Sequence, residues 1–194
     1  METLGGILTA FGLSASAGLN AYVPLLIVAL AARFTDWIQL ASPWDALESW
    51  WVIGAIVILG VVEFFADKVP AVNHLNDVIQ TFIRPAAGAV LFAASTDVVT
   101  GLHPALGIIA GLLVAGSVHV VKSAAIRPAV TATTGGSGNV PVSVAEDVLA
   151  TILSILAVLV PVLIAALIIV VTAFVVWWIW RRANREQLAR GRTE

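Results

Sequence analysis

Two groups of polar side chains interrupt an otherwise apolar chain, and their types and spacing could do chemistry. The first is Glu63, Asp67, Lys68, Asn73, His74, Asn76 and Asp77, followed by Arg84-Pro85. The second is His119, Lys122, Ser123 and Arg127, then the run Thr133-Thr134-Gly135-Gly136-Ser137-Gly138-Asn139, closing at Glu146-Asp147. Glu63 and Asp67 share a helix face at a spacing of four residues, so two ionised carboxylates there repel. One of them holds a proton, or a cation or basic side chain lies between them. Acids with histidines suit a proton or a divalent cation. Arg84, Lys122 and Arg127 around a Gly-rich run suit an anion or a phosphate-bearing lipid. The run itself can present backbone N–H groups or carbonyls to an ion, or serve only as a flexible connection. It lacks the Gly-Lys-Ser/Thr ending of a phosphate-binding P-loop.

The candidate solute or ion site is therefore Glu63, Asp67, Lys68, His74, Asp77, Arg84, His119, Lys122, Arg127, Thr134, Gly135, Gly136, Asn139 and Asp147. Blander readings stand beside it. Asp67 and Lys68 can be solvated at an interface with Glu63 paired to a neighbouring helix. Arg84 can reach lipid headgroups or pair with Glu63 or Asp67. A lone His119 is more often a hydrogen-bonded packing residue than a ligand.

The setting of these groups is a bilayer. The 194 residues are 60% hydrophobic and 11% charged, with mean hydropathy +1.00, against about 25% charged in an average soluble domain. A formal net charge of -2 gives no attraction to nucleic acid. The absence of cysteine excludes thiol catalysis, disulfides and Cys-ligated zinc. Glu63, Asp67, His74, Asp77 and His119 could bind a catalytic metal, the least favoured reading, but no HExxH motif or Ser–His dyad stands out, so an enzyme is not expected, and no cofactor is expected. Met1-Glu2-Thr3 lacks the basic start of a signal peptide, and the segment reads as retained.

The expected architecture is an all-α polytopic membrane protein with about six membrane segments, one domain over residues 1–182 and a basic cytoplasmic tail over 183–194. Residues 4–34 are interrupted by Ser14, Ser16, Gly18, Asn20 and Pro24. They read either as a broken helix whose freed backbone faces a cavity or as a Pro kink against small neighbours, and for topology they count as one crossing. Ser42-Pro43-Trp44-Asp45 opens a short interfacial helix. Further spans lie at 51–66, at 77–95 with Asn76 as cap, and at 105–125. In the last, Gly107 and Gly111 form a GxxxG pair that permits close helix approach within the chain or between subunits. Ser143 and Glu146 read as a capping box. Residues 148–180 read as two helices turning near Pro161.

An apolar span, a polar knot and an acid-amide or acid-acid helix start occur twice, which suggests an internal repeat. Lys68, Lys122, Arg127 and the arginine-rich tail then share one side and Arg33 the other, which makes the crowded side cytoplasmic and places both termini there. Trp37, Trp44, Trp50 and Trp51 mark one interface, and Trp177, Trp178 and Trp180 the other.

The motifs Gly18-Leu-Asn-Ala-Tyr-Val-Pro24, Asp67-Lys-Val-Pro70, Phe82-Ile-Arg-Pro-Ala-Ala-Gly88, Thr133-Thr-Gly-Gly136 and Glu146-Asp147 resemble an uncharacterised bacterial membrane family, domain-of-unknown-function family four-one-two-six. The resemblance implies a multi-pass protein of the bacterial inner membrane and brings no activity with it. From the residues, the leading expectation is a small transporter or channel-like permease for an ion or a small or lipid-linked solute, its polar site in the cytoplasmic half of the membrane. The alternative is a structural or partner-binding membrane protein that forms a homo-oligomer through the Gly107/Gly111 face. The lipid bilayer is the expected partner in either case.

Overall fold

Two helix starts are capped by side chains, the one at Tyr22 by Asn20 and the one at Pro104 by His103. The computed structural model describes residues 2–36, 38–68, 70–100, 103–159, 170–178, 180 and 181. The side chains of 2–4, 70–75 and 97–100 lie outside the described set. Helix α1 (Glu2–Leu19) is followed by α2 (Tyr22–Phe34), a 3₁₀ turn at Trp44–Glu48, α3 (Trp50–Ala66), α4 (Pro70–Thr100), α5 (Pro104–Val121), a π turn at Lys122–Ile126, α6 (Arg127–Thr134) and α7 (Asn139–Leu159). Residues 170–178 are helical and exposed, and no strand occurs among the described residues.

The protein is an all-α polytopic membrane fold, and its burial pattern is inverted relative to a water-soluble one. Arg84 and Lys122 are the largest fully buried side chains, while Trp51, Phe82 and Leu113 are exposed. Only a solvent of lipid tails makes that arrangement favourable. Among the described residues, three helical stretches are long and apolar enough to span, Asn76–Thr96, Pro104–Thr134 and Asn139–Leu159, and three are shorter, Gly5–Leu19, Tyr22–Phe34 and Trp50–Ala66.

Small residues set the helix spacing. α1 packs against α4, α5 and α7, and α4 against α5. A Cβ at Gly111 would fall on the Gly88 carbonyl oxygen and 2.6 Å from Ala89 Cα, and one at Gly107 would come 2.9 Å from Ala93 Cα. The Gly107/Gly111 face is thus filled by α4 within the chain and is no free surface for a second copy. Hydroxyls of α1 cross to neighbouring backbones. Ser14 Oγ donates to Gly111 O at 3.0 Å, Ser16 Oγ to Ala150 O at 2.8 Å and Thr9 Oγ1 to Ala157 O at 3.0 Å.

Residues 4–34 do not form one crossing. The helix breaks at Asn20, whose Oδ1 accepts from the N–H groups of Tyr22 and Val23 at 3.0 and 3.1 Å, the bonds an N-cap makes. Pro24 sits in the first turn of α2, where no N–H is needed, so it starts a helix rather than kinking one. α2 then runs antiparallel to α3, with Tyr22 against Gly60 and Phe34 against Trp50. Three joints result among the described residues, between α1 and α2, between α3 and α4, and from α5 through the π turn and α6 to α7, each at the end that carries the polar groups. The start of α1 lies at the opposite end, with the Trp44–Glu48 turn.

Other boundaries shift too. α4 runs through Asn76 and continues to Thr100, so Asn76 is interior and not a cap. α7 opens at Asn139, so Ser143 and Glu146 are interior and form no capping box. Pro43 is the N-cap of the 3₁₀ turn. His103 caps α5, its Nδ1 accepting from Ala105 N at 3.2 Å. Trp37, the turn expected near Pro161 and the tail lie outside the described residues.

The natural absence of cysteine makes the topology testable. With single cysteines at Gly5, Ser42 and Ser137, a membrane-impermeant maleimide should label the first two from one side and the third from the other. Labelling of positions 5 and 137 from the same side would restore a single crossing. Gly111→Ala should cost about 1–3 kcal/mol of stability through overpacking. Gly54→Ala, with nothing within 4 Å of its Cβ, should cost nothing.

Candidate functional site

The three joints deliver their polar groups to one place because each joint lies at the same end of the bundle. α3 ends with Glu63 and Asp67 one turn apart. α4 presents Asn76, Gln80 and Arg84 at successive four-residue steps on one face, all buried. The π turn adds Lys122, α6 begins with Arg127, and α7 supplies Ser143, Glu146 and Asp147.

Arg84 is fully buried and lies between the two acids that the sequence sets in repulsion. Its Nη2 is 2.9 Å from Glu63 Oε1 and 3.7 Å from Asp67 Oδ2. Arg127 bridges three carboxylates, Asp67 at 2.9 Å, Asp77 at 3.1 Å and Glu146 at 3.4 Å. Lys122 Nζ is 2.8 Å from Glu146 and donates to Leu19 O at 2.9 Å, a carbonyl freed where α1 breaks. Asn20 Nδ2 donates to Asp147 Oδ1 at 2.9 Å, and Lys68 holds the other oxygen at 3.1 Å. Asn76 donates to Asp67 Oδ1 at 2.6 Å and Ser143 to Oδ2 at 3.4 Å. The broken helix is therefore fastened to the cluster by its own exposed ends.

His119 is a bridge. Arg84 Nη1 lies 3.5 Å from its Nδ1, and an arginine can only donate. Nδ1 therefore accepts, the ring is neutral, and its proton is on Nε2, 3.1 Å from Thr81 Oγ1. Thr81 in turn donates to Asp77 O at 2.8 Å.

The π turn decides where two of the cations go. In a continuous α-helix, residues five apart lie about 140° apart around the axis, so Lys122 and Arg127 would face different ways. The Arg127 N–H donates instead to Lys122 O, five residues back. This wider turn brings both side chains to the cluster, consistent with the placement of π turns at functional sites. After α6 the chain reverses through Gly135 and Gly136, with φ of 63° and 91° that only glycine adopts freely. Thr134 Oγ1 accepts from Gly138 N at 3.0 Å, so the Gly-rich run is a compact turn.

A cleft of about 880 Å³ opens beside the cluster. It is walled by Asp67, Lys68, Asp77, Thr81, Arg127 and the Gly135–Gly136 turn with Asn139. Of the residues expected to form the site, Glu63, Arg84, His119 and Lys122 lie behind this wall, and Asp147 is reached through Lys68. The side chain of His74 lies outside the described residues.

The sequence profile of the family described as Domain of unknown function (DUF4126) matches residues 7–182. The chain belongs to DUF4126. No curated protein and no solved structure matches it.

In this DUF4126 chain, sequence reasoning assigned to helix caps three residues that belong to the cluster, Asn76, Ser143 and Glu146, and left Gln80 unmarked. The signal was present as the four-residue polar stripe Asn76, Gln80, Arg84 on an otherwise apolar helix. Among the described residues, no three His, Cys, Asp or Glu side chains are placed to hold a metal ion.

Removing one partner from a buried ion network leaves the others uncompensated. Arg127→Ala should therefore destabilise the protein by about 3–5 kcal/mol in chemical unfolding, whereas truncation of the exposed Arg33 should cost under about 1 kcal/mol. Burial pushes the Asp67 carboxyl up, but Arg127, Lys122 and Arg84 together hold it below its ordinary 3.8. A lowered folded value stabilises above the unfolded value and is lost as pH falls through the folded one. Stability should thus drop as pH falls below about 4, and less steeply in Asp67→Asn.

Proposed function

We propose that this protein is a small membrane transporter, a channel-like permease that takes an ion or other small solute from the cleft at its polar end. The observation that carries this reading is the cleft of about 880 Å³, which leads to Asp67, Asp77 and Arg127 between the start of α4, the π turn and α6. Charged groups within spans are costly and line solute or ion pathways. Broken helices whose freed backbone meets charged groups recur at transporter sites, and the Leu19 carbonyl on Lys122 supports that comparison. Lys68, Lys122 and Arg127 crowd the polar end while Arg33 lies at the other, so the cleft faces the cytoplasm, in a bacterial inner membrane.

A second reading, a structural or partner-binding protein, is favoured by one observation. The cleft stops at Asp67 and Thr81, and Glu63 and His119 sit behind them in a densely paired network.

The two readings separate at Ala132, which lines the cleft and carries no side-chain hydrogen-bonding group. Proteoliposomes loaded with a pH-sensitive dye and driven by a potassium diffusion potential should report protein-dependent proton flux. Ala132→Trp should abolish that flux by filling the cleft while leaving the melting temperature unchanged. Wild-type flux equal to that of empty liposomes would favour the structural reading.

A further inference from the structure

The charges of the cluster do not balance. Among the described side chains, five carboxylates, Glu63, Asp67, Asp77, Glu146 and Asp147, face four cations, Lys68, Arg84, Lys122 and Arg127. His119 is neutral by its bonding to Arg84. Asp77, Asp147 and Lys68 are part-exposed at the cleft end, and the more deeply buried groups are Glu63, Asp67 and Glu146 with Arg84, Lys122 and Arg127, so what decides is which buried acid lacks a partner.

The hydrogen bonds show which acid lacks one. Asp67 has donors on both oxygens. So has Asp147. Asp77 is bonded to Arg127, and its side chain is 26% exposed to the cleft, where solvent reaches it. Two buried carboxylate oxygens have no partner, Glu63 Oε2 and Glu146 Oε1. Glu146 has two cations on its other oxygen, Lys122 and Arg127. Glu63 has only Arg84, which it shares with Asp67. Glu63 is thus the acid with the weakest claim on a cation. Gln80 Oε1, on the helix face that carries Arg84, is a further buried acceptor without a donor. No metal-ligand set occurs among the described residues, and a proton needs a single oxygen.

We propose that Glu63 is a proton-binding site, its otherwise unpartnered Oε2 carrying the proton. Binding forms one O–H bond on the carboxyl and changes no other bond. The groups that face Glu63 are Arg84 and Gln80 from α4, Asp67 from the end of α3, Tyr22 from α2 and Lys122 from the π turn. His119, Arg127 and Glu146 lie beyond them. A coupling role for this proton rests on the transport reading. The proton's presence does not.

The test is infrared spectroscopy of the full-length protein in lipid at neutral pH, read at the carbonyl stretch of a protonated carboxylic acid. The wild type should show this band, and glutamate carrying a carbon isotope label should shift it, a control that needs no substitution. Glu63→Gln, a neutral mimic, should lose the band and keep the wild-type melting temperature. Glu146→Gln and Asp67→Asn should keep the band. Loss of the band in Glu146→Gln, an isotope shift with labelled aspartate instead of glutamate, or no band in the wild type would overturn the assignment. No band together with a melting temperature raised by sodium chloride but not choline chloride would replace the proton by a sodium ion. A glutamate band without proton flux would overturn the transport reading alone.

Discussion

A charge enclosed by lipid and protein must find its partners within the protein, and the rest of this molecule is arranged to supply them. Arg84 and Lys122 could not be the largest fully buried side chains unless each had a carboxylate at ion-pair distance, Asp67 for Arg84 and Glu146 for Lys122. Meeting that condition draws in every element: the end of α3, one face of α4, the π turn, the start of α6, the second turn of α7 and the break between α1 and α2.

Helix packing serves the same end. Gly88, Gly107 and Gly111 let α4 and α5 approach until backbone meets backbone, and Ser14, Ser16 and Thr9 tie α1 to its neighbours through carbonyls. Between membrane helices, where apolar burial gives no advantage over lipid, close contact and hydrogen bonds of this kind provide the association. They fix the axial positions of the helices, and so decide that Glu63, Arg84 and His119 stand at one depth.

The cluster is closed on one side and open on the other. Asp67, Asp77 and Arg127 belong both to the paired network and to the cleft wall. Whatever enters the cleft meets groups already engaged with one another, so binding there competes with ion pairs. That shared wall is the physical basis for reading the site as one that exchanges partners, and the unpartnered Oε2 places the softest point of the network at Glu63.

Composition and apolar run lengths alone made the membrane, the helices and the two polar knots legible, since no aqueous core could hide so much apolar surface. Glu63, Asp67, Arg84, Lys122 and Arg127 stood out for the same reason, being ionisable groups in or beside apolar spans. What the sequence could not determine was partnership. Asn76, Ser143 and Glu146 have the side chains of helix caps, and local pattern assigns them that role. Only the meeting of three distant joints makes them ligands of Asp67, Lys122 and Arg127. Likewise Asn20 and Pro24 announce an interruption but not a reversal, because the direction of α2 is set by its packing on α3 and α7. Gly107 and Gly111 announce a close contact but not with which helix. Local chemistry writes where a chain can bend or carry charge. Which bends and charges come together is a matter of long-range packing, and that resided in the tertiary structure alone.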